Sequence, residues 1–132
     1  MKPVTDLVLS REPNDCAIVA LCNYLGVTYN DCLRAVCVVD TRCQGREGLT
    51  VEQQKKVALE LGYTLRFRSK VNLRKDYGIL ILSDHAALIR NGLLFEKDAS
   101  VYEVDYYIKT HYTHEQVAGI LYYPPPKQIP TE

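Results

Sequence analysis

At 132 residues, 47% hydrophobic and 24% charged, the chain is long enough to close one core without metal or disulfide staples, and its composition is neither disordered nor fibrous. Sixteen basic residues balance sixteen acidic ones and no basic cluster interleaves with aromatics, which excludes an electrostatic nucleic-acid footprint. No stretch has the length of a signal-peptide core or a membrane span, so a soluble cytoplasmic protein is expected.

Pro13-Asn14-Asp15 ahead of Cys16-Ala17-Ile18-Val19-Ala20-Leu21 is a helix-start signal, because Asn and Asp offer acceptors to the unpaired N–H groups of a first turn. A helix over 16–25 follows, with Ile18, Leu21, Cys22 and Leu25 on one stripe and Gly26 as its stop. Cys16 falls in the first turn, where free N–H groups and the helix dipole favour an anion. Thiols so placed have pKa values of roughly 3.5–7.5, against about 8.5 for a free cysteine. The bland alternative is a small buried hydrophobe. Five cysteines, an odd number crowded into the first third, argue for reduced thiols and against a disulfide framework. No pair has a two-residue spacing, so no metal site is expected.

Asn30-Asp31 caps a second helix of about 31–39 with Leu33, Val36 and Cys37 inward, and Cys22, Cys32 and Cys37 read as core residues. Residues 40–48 form a loop in which Cys43 is exposed and has no catalytic role. Thr50 and Gln53 make a capping box for a third helix carrying Val57, Ala58 and Leu61, which Gly62 ends. From Tyr63 the period becomes two, giving a half-buried strand through Arg68. After a polar link, Gly78-Ile79-Leu80-Ile81-Leu82 reads as a central strand. Asn91-Gly92, between apolar runs, signals a hairpin joining 85–90 to 93–98. Ser100 to Glu103 is a second capping box, predicting a helix to about Lys109 with Val104 and Ile108 inward. A loop over 111–115 and a last strand, 117–123, complete a single domain over 1–123. Pro124-Pro125-Pro126 opens an extended, mobile tail over 124–132.

The hairpin permits a geometric inference. A two-residue turn at Asn91-Gly92 pairs Arg90 with Leu93, Ile89 with Leu94 and Leu88 with Phe95, and so on to His85 opposite Asp98. Glu96 shares that face diagonally, so either carboxylate could hold the imidazole. A carboxylate there would fix the tautomer and raise the basicity of the other ring nitrogen, leaving it free to take a proton from a thiol. The competing reading of His85 is a strand-end histidine bonded to Ser83 or Asp84. His111 and His114 read as solvated, and Tyr102, Tyr106, Tyr107, Tyr112, Tyr122 and Tyr123 as core and rim packing or, where exposed, the lining of a peptide groove.

Asn14-Asp15-Cys16 opening an apolar helix, the Gly48-Leu49-Thr50 helix, and His85-Ala86-Ala87-Leu88-Ile89 followed by a turn and an acidic residue resemble papain-like cysteine peptidases. The likeness is to the bacteriocin-processing (double-glycine leader) peptidases and to small phage-encoded proteins similar to them, and covers most of 10–122. It implies an α+β fold in which N-terminal helices carrying the cysteine pack on a C-terminal antiparallel sheet carrying His and Asp. By position it makes Cys16 the nucleophile, His85 the general base and acid, and Asp98 the orienting carboxylate, with Glu96 as the alternative. Members of the family usually place an oxyanion-donating glutamine before the cysteine. Here the segment reads Ser10-Arg11-Glu12, and Asn14, Ser10 or Arg11 is the candidate replacement beside the Cys16 N–H. The implied substrate is an extended peptide or protein, with no cofactor and no partnership with nucleic acid or membrane. The alternatives are a catalytically silent binding module, viral by resemblance, and another thiol acyl-transfer enzyme such as a deamidase.

Overall fold

The run Gly78-Ile79-Leu80-Ile81-Leu82 has no polar face, and the fold supplies a cover for both of its faces. A computed structural model describes residues 7–11, 15–39 and 49–123. Among them, β2 (Gly78–Leu82) lies inside an antiparallel six-stranded sheet, and all five of its residues are buried. The other strands are β1 (Arg66–Arg68), β3 (Ala86–Arg90), β4 (Leu93–Phe95), β5 (Val101–Glu103) and β6 (Val117–Tyr122). The order across the sheet is β1-β6-β2-β3-β4-β5, so the last strand inserts beside β2. That insertion is close: a Cβ at Gly78 would lie 2.5 Å from the Leu121 carbonyl oxygen, and only glycine lets the two backbones approach so nearly.

Three helices, α1 (Cys16–Leu25), α2 (Tyr29–Val39) and α3 (Val51–Glu60), cover one face. Ile79, Ile81, Ala86, Leu88 and Leu121 meet them there. Leu80, Leu82, Ala87, Ile89 and Ile120 point the other way, onto Val104, Tyr107 and Ile108 of α4 (Val104–His111). Strand alternation therefore feeds two cores, with the sheet between them. Every residue of α1 after Cys16 is buried, which explains its all-round apolar sequence. Gly26 ends it in the left-handed conformation, φ 74°, and its N–H returns to the Cys22 carbonyl at 2.8 Å.

The α+β class and the three leading helices agree with the sequence expectation. The Thr50–Gln53 capping box is present, and Asn91 and Gly92, at φ 51° and 81°, make the tight turn that sets Arg90 opposite Leu93, Ile89 opposite Leu94 and Leu88 opposite Phe95. Other boundaries differ. The second helix starts at Tyr29 because Thr28, not Asn30-Asp31, accepts the Asp31 N–H at 3.1 Å. The strand read from Tyr63 begins at Arg66. Residues 101–103, expected as the first turn of a helix, pair with β4 instead, because the Ser100 backbone is already committed to the preceding turn. That helix starts at Val104 and extends to His111, and a 3-10 turn, His114–Gln116, occupies the expected loop.

The all-reduced reading of the cysteines also needs correction. Cys16, Cys22 and Cys32 are free, but Cys37 is disulfide-bonded to a partner outside the described residues, and it is half-buried, not core. Cys43, Asn14 and the tail over 124–132 likewise lie outside the described residues. No described helix is long and apolar enough to cross a membrane.

Candidate active site

The start of α1 is built around a buried carboxylate. Asp15, 1% exposed, occupies the N-cap position, yet its side chain makes no cap bond. It accepts instead from the Ser10 hydroxyl at 2.7 Å, the Arg11 N–H at 2.9 Å and the Tyr29 hydroxyl at 2.8 Å. The acidic residue just before the cysteine therefore ties down the 7–11 segment and α2, and α1 carries no acidic residue in its first turn. Cys16 therefore stands in the first turn with no acidic side chain competing for its N–H groups there.

Cys16 is half-buried and faces the head of β3. Burial works against its anion, but a hydrogen bond with His85, the N–H groups of Ala86 and Ala17, and the His85 charge together bring its pKa below the ordinary thiol value. His85 sits in the turn leading into β3, where the Leu82 N–H donates to the His85 carbonyl at 2.8 Å. Its Nε2 lies 2.7 Å from Glu96 Oε1, which leaves Nδ1 as the ring nitrogen for the thiol. Burial opposes the imidazolium, but the bonds to Cys16 and Glu96 raise its pKa to about 10. For Glu96, burial would favour the neutral acid, and His85 and the Tyr107 hydroxyl hold its carboxyl below the usual value. The ordering is that of a thiolate–imidazolium pair backed by a carboxylate.

The carboxylate on His85 is Glu96, not Asp98. The hairpin register runs as expected only through Phe95, and then the chain turns. Glu96 N–H donates to the Ser100 carbonyl at 2.8 Å, the Ala99 N–H to the Glu96 carbonyl at 2.9 Å, and Ala99 takes φ 71°. This turn carries Asp98 off the sheet, where its carboxylate is exposed and accepts the Ser100 N–H at 3.0 Å. The Ser100 backbone N–H holds Asp98 ionised below the ordinary carboxylate value. Ser10 and Arg11 are not brought to the thiol. The Ser10 hydroxyl is given to Asp15, and the Arg11 guanidinium bonds Asn30 at 3.0 Å and covers the Tyr29 ring at 4.6 Å. His111 and His114 are exposed, and no cluster of metal-binding side chains occurs among the described residues.

A cleft of about 340 Å³ opens over the thiol between α3 and the turn before β3, with Cys16, Leu49, Gln54, Leu82, His85 and Ala86 in its wall. Sequence reasoning missed two contributors. Gln54, 2% exposed, donates from Nε2 to the Leu49 carbonyl at 3.1 Å, and its Oε1 has no partner among the described residues. Tyr107 donates to Glu96 Oε1 at 3.0 Å; the spacing of Val104, Tyr107 and Ile108 signals its burial on one helical face but not this partner.

Pairing a depressed thiol with a raised imidazole has a consequence for stability. A depressed thiol pKa gives stability that is full above the unfolded value of 9.0 and lost as pH falls. A raised imidazole gives stability that is full below 6.5 and lost as pH rises through about 10. Below pH 9.0 the two slopes have opposite signs, so they offset each other wherever both groups titrate. Cys16→Ala should remove the thiol's share and leave His85 raised by Glu96 alone. Its melting temperature is expected to fall from pH 6.5 to 9 relative to the wild type measured in parallel. Parallel curves would mean that the pair is not charged.

No protein-family model, curated protein or solved structure matches this chain.

Proposed function

We propose that the protein is a thiol hydrolase of papain-like organisation, acting on a peptide bond in an extended segment laid along the cleft over Cys16. The observation that supports it is the placing of Cys16 and His85 in the wall of one cleft, with His85 Nε2 2.7 Å from Glu96 Oε1 and the thiol in the first turn of a helix that has no acidic residue there. The nucleophile opens α1, the proton carrier immediately precedes β3 and the orienting carboxylate immediately follows β4, so each abuts regular structure.

In this reading the Cys16 thiolate adds to the carbonyl carbon, forming a C–S bond as the carbonyl electron pair moves to oxygen. The Cys16 backbone N–H, at the free end of α1, faces the developing oxyanion. The His85 imidazolium gives its proton to the departing amine, the C–N bond breaks, and a thioester remains. Neutral His85 then removes a proton from water, the hydroxide displaces the thiolate, and acid and imidazolium are regenerated. Glu96 keeps its charge throughout and orients the ring.

The test is incubation with a library of unstructured peptides, followed by mass spectrometry of the products in wild type and Cys16→Ala. New termini that vanish in the variant are expected. Ammonia release without new termini would make the protein a deamidase, and neither product would leave a binding module.

A further inference from the structure

Glu96 Oε1 carries two donors, His85 Nε2 at 2.7 Å and the Tyr107 hydroxyl at 3.0 Å. The two donors differ in how firmly they are held. Tyr107 is 8% exposed on the buried face of α4, with its ring centroid 5.3 Å from Tyr102, 5.9 Å from Tyr112 and 4.9 Å from His111. Glu96 has three side-chain torsions and borders a cavity of about 390 Å³ on the side away from Cys16, so without a second anchor its carboxylate has space to turn. We propose that Tyr107 is a positioning residue: its hydroxyl, fixed by the packing of α4, holds the Glu96 carboxylate against His85 and so maintains the basicity of the imidazole that serves Cys16.

The inference rests on the Cys16–His85–Glu96 reading and extends it by one residue. The surroundings leave this task to Tyr107. Of the groups around Glu96, Asp98 is committed to the Ser100 N–H at 3.0 Å and repels Glu96, and Lys97 reaches toward Asp15 at 3.8 Å. Tyr112 donates to Asp84 at 3.2 Å, and His111 lies against the Tyr107 ring. Burial and the Glu96 charge both push the Tyr107 phenol upward, so it remains a donor wherever the thiolate–imidazolium pair exists.

Titration of the 15N-labelled protein by NMR tests this role, with the His85 resonance identified by its loss in His85→Ala. In Tyr107→Phe, which keeps the ring and removes the donor, the His85 pKa is expected to fall by about one unit or more, a tenfold loss of proton affinity. Tyr106→Phe, which removes a hydroxyl from the exposed side of α4, should leave His85 unmoved. An unchanged or raised His85 pKa in folded Tyr107→Phe would overturn the proposal, since a purely packing role does not move that titration. If Tyr107→Phe gives no cooperative melt, Tyr107→Met, equally without a donor and more adaptable in shape, takes its place under the same criteria. Absence of peptide cleavage in the wild type would end the hydrolase reading. The part played by Tyr107 would still be read from the imidazole titration, which needs no turnover.

Discussion

Removing the His85 side chain is expected to slow iodoacetamide alkylation of Cys16 at pH 7 by tenfold or more, measured per cysteine by peptide mass spectrometry. Two of the influences that lower the Cys16 pKa are the hydrogen bond with His85 and its charge, while burial of the thiol pushes the other way. In His85→Ala the burial remains. A thiol returned even to about 8.5 is only roughly 3% thiolate at pH 7, and desolvation takes it lower still. The pH profile should change as well. Wild-type alkylation rises at the depressed Cys16 pKa and keeps a plateau until the imidazolium is lost near 10. The variant should show one late rise. Cys22 provides the internal contrast, because its bond to Cys32 and its burial drive its pKa strongly upward, so it should remain unlabelled in both proteins. A Cys16 that alkylates at the same rate with and without His85 would dissolve the pair, and with it the hydrolase reading.

The second large effect is expected on stability. Asp15→Ala should cost about 3–5 kcal/mol, read as a lowered midpoint of urea unfolding at unchanged slope. The carboxylate is 1% exposed and, among the described residues, accepts from Ser10, Arg11 and the buried Tyr29 hydroxyl, with the Lys97 ammonium 3.8 Å away. Hydrogen bonds to a charged acceptor contribute about 1.5–3 kcal/mol each, and removing the shared acceptor leaves its buried donors unsatisfied. Water entering beside the exposed Arg11 offsets part of this, which is why the expected loss is below the simple sum. Asp15→Asn, of similar shape, should recover part of the loss because its carbonyl can still accept. A cost under about 1 kcal/mol for Asp15→Ala would mean that the 7–11 segment is held by other contacts.

The sequence exposed local features well and long-range ones poorly. Gly26, the Thr50–Gln53 box and the Asn91-Gly92 turn each act within a few residues, and each is found where its residue types place it. The same locality made His85 and its two acidic candidates visible, since a hairpin register is fixed by its turn. The choice between the candidates was not visible, because it depends on a four-residue turn after Phe95 whose Ala99 adopts φ 71°, a conformation alanine does not advertise. Ser100 to Glu103 misled for a related reason. The pattern of a capping box is there, but the backbone of Ser100 is used by that same turn and Val101-Tyr102-Glu103 extends the sheet. Asp15 reads as a cap from its position, and its partners Ser10 and Tyr29 are set by tertiary packing alone. Tyr107 belongs to the same class, since nothing short of the packed fold brings α4 to Glu96.

Cys16 belongs to the helical layer, whereas Glu96 and Tyr107 stand on the α4 side, and His85 at the head of β3 joins them across the end of the sheet. In kinetic terms, the helices and the β3–β4 hairpin close over short loops, while the thiol–imidazole contact bridges segments far apart in the chain and must await the docking of whole elements. The same separation applies to partial opening. Every residue of α1 after Cys16 is buried, so lifting α1 from β3 would open the helical core itself, and the thiol keeps its place for as long as that core is closed. The reactivity of a single sulfur thus reports how tightly two layers are seated.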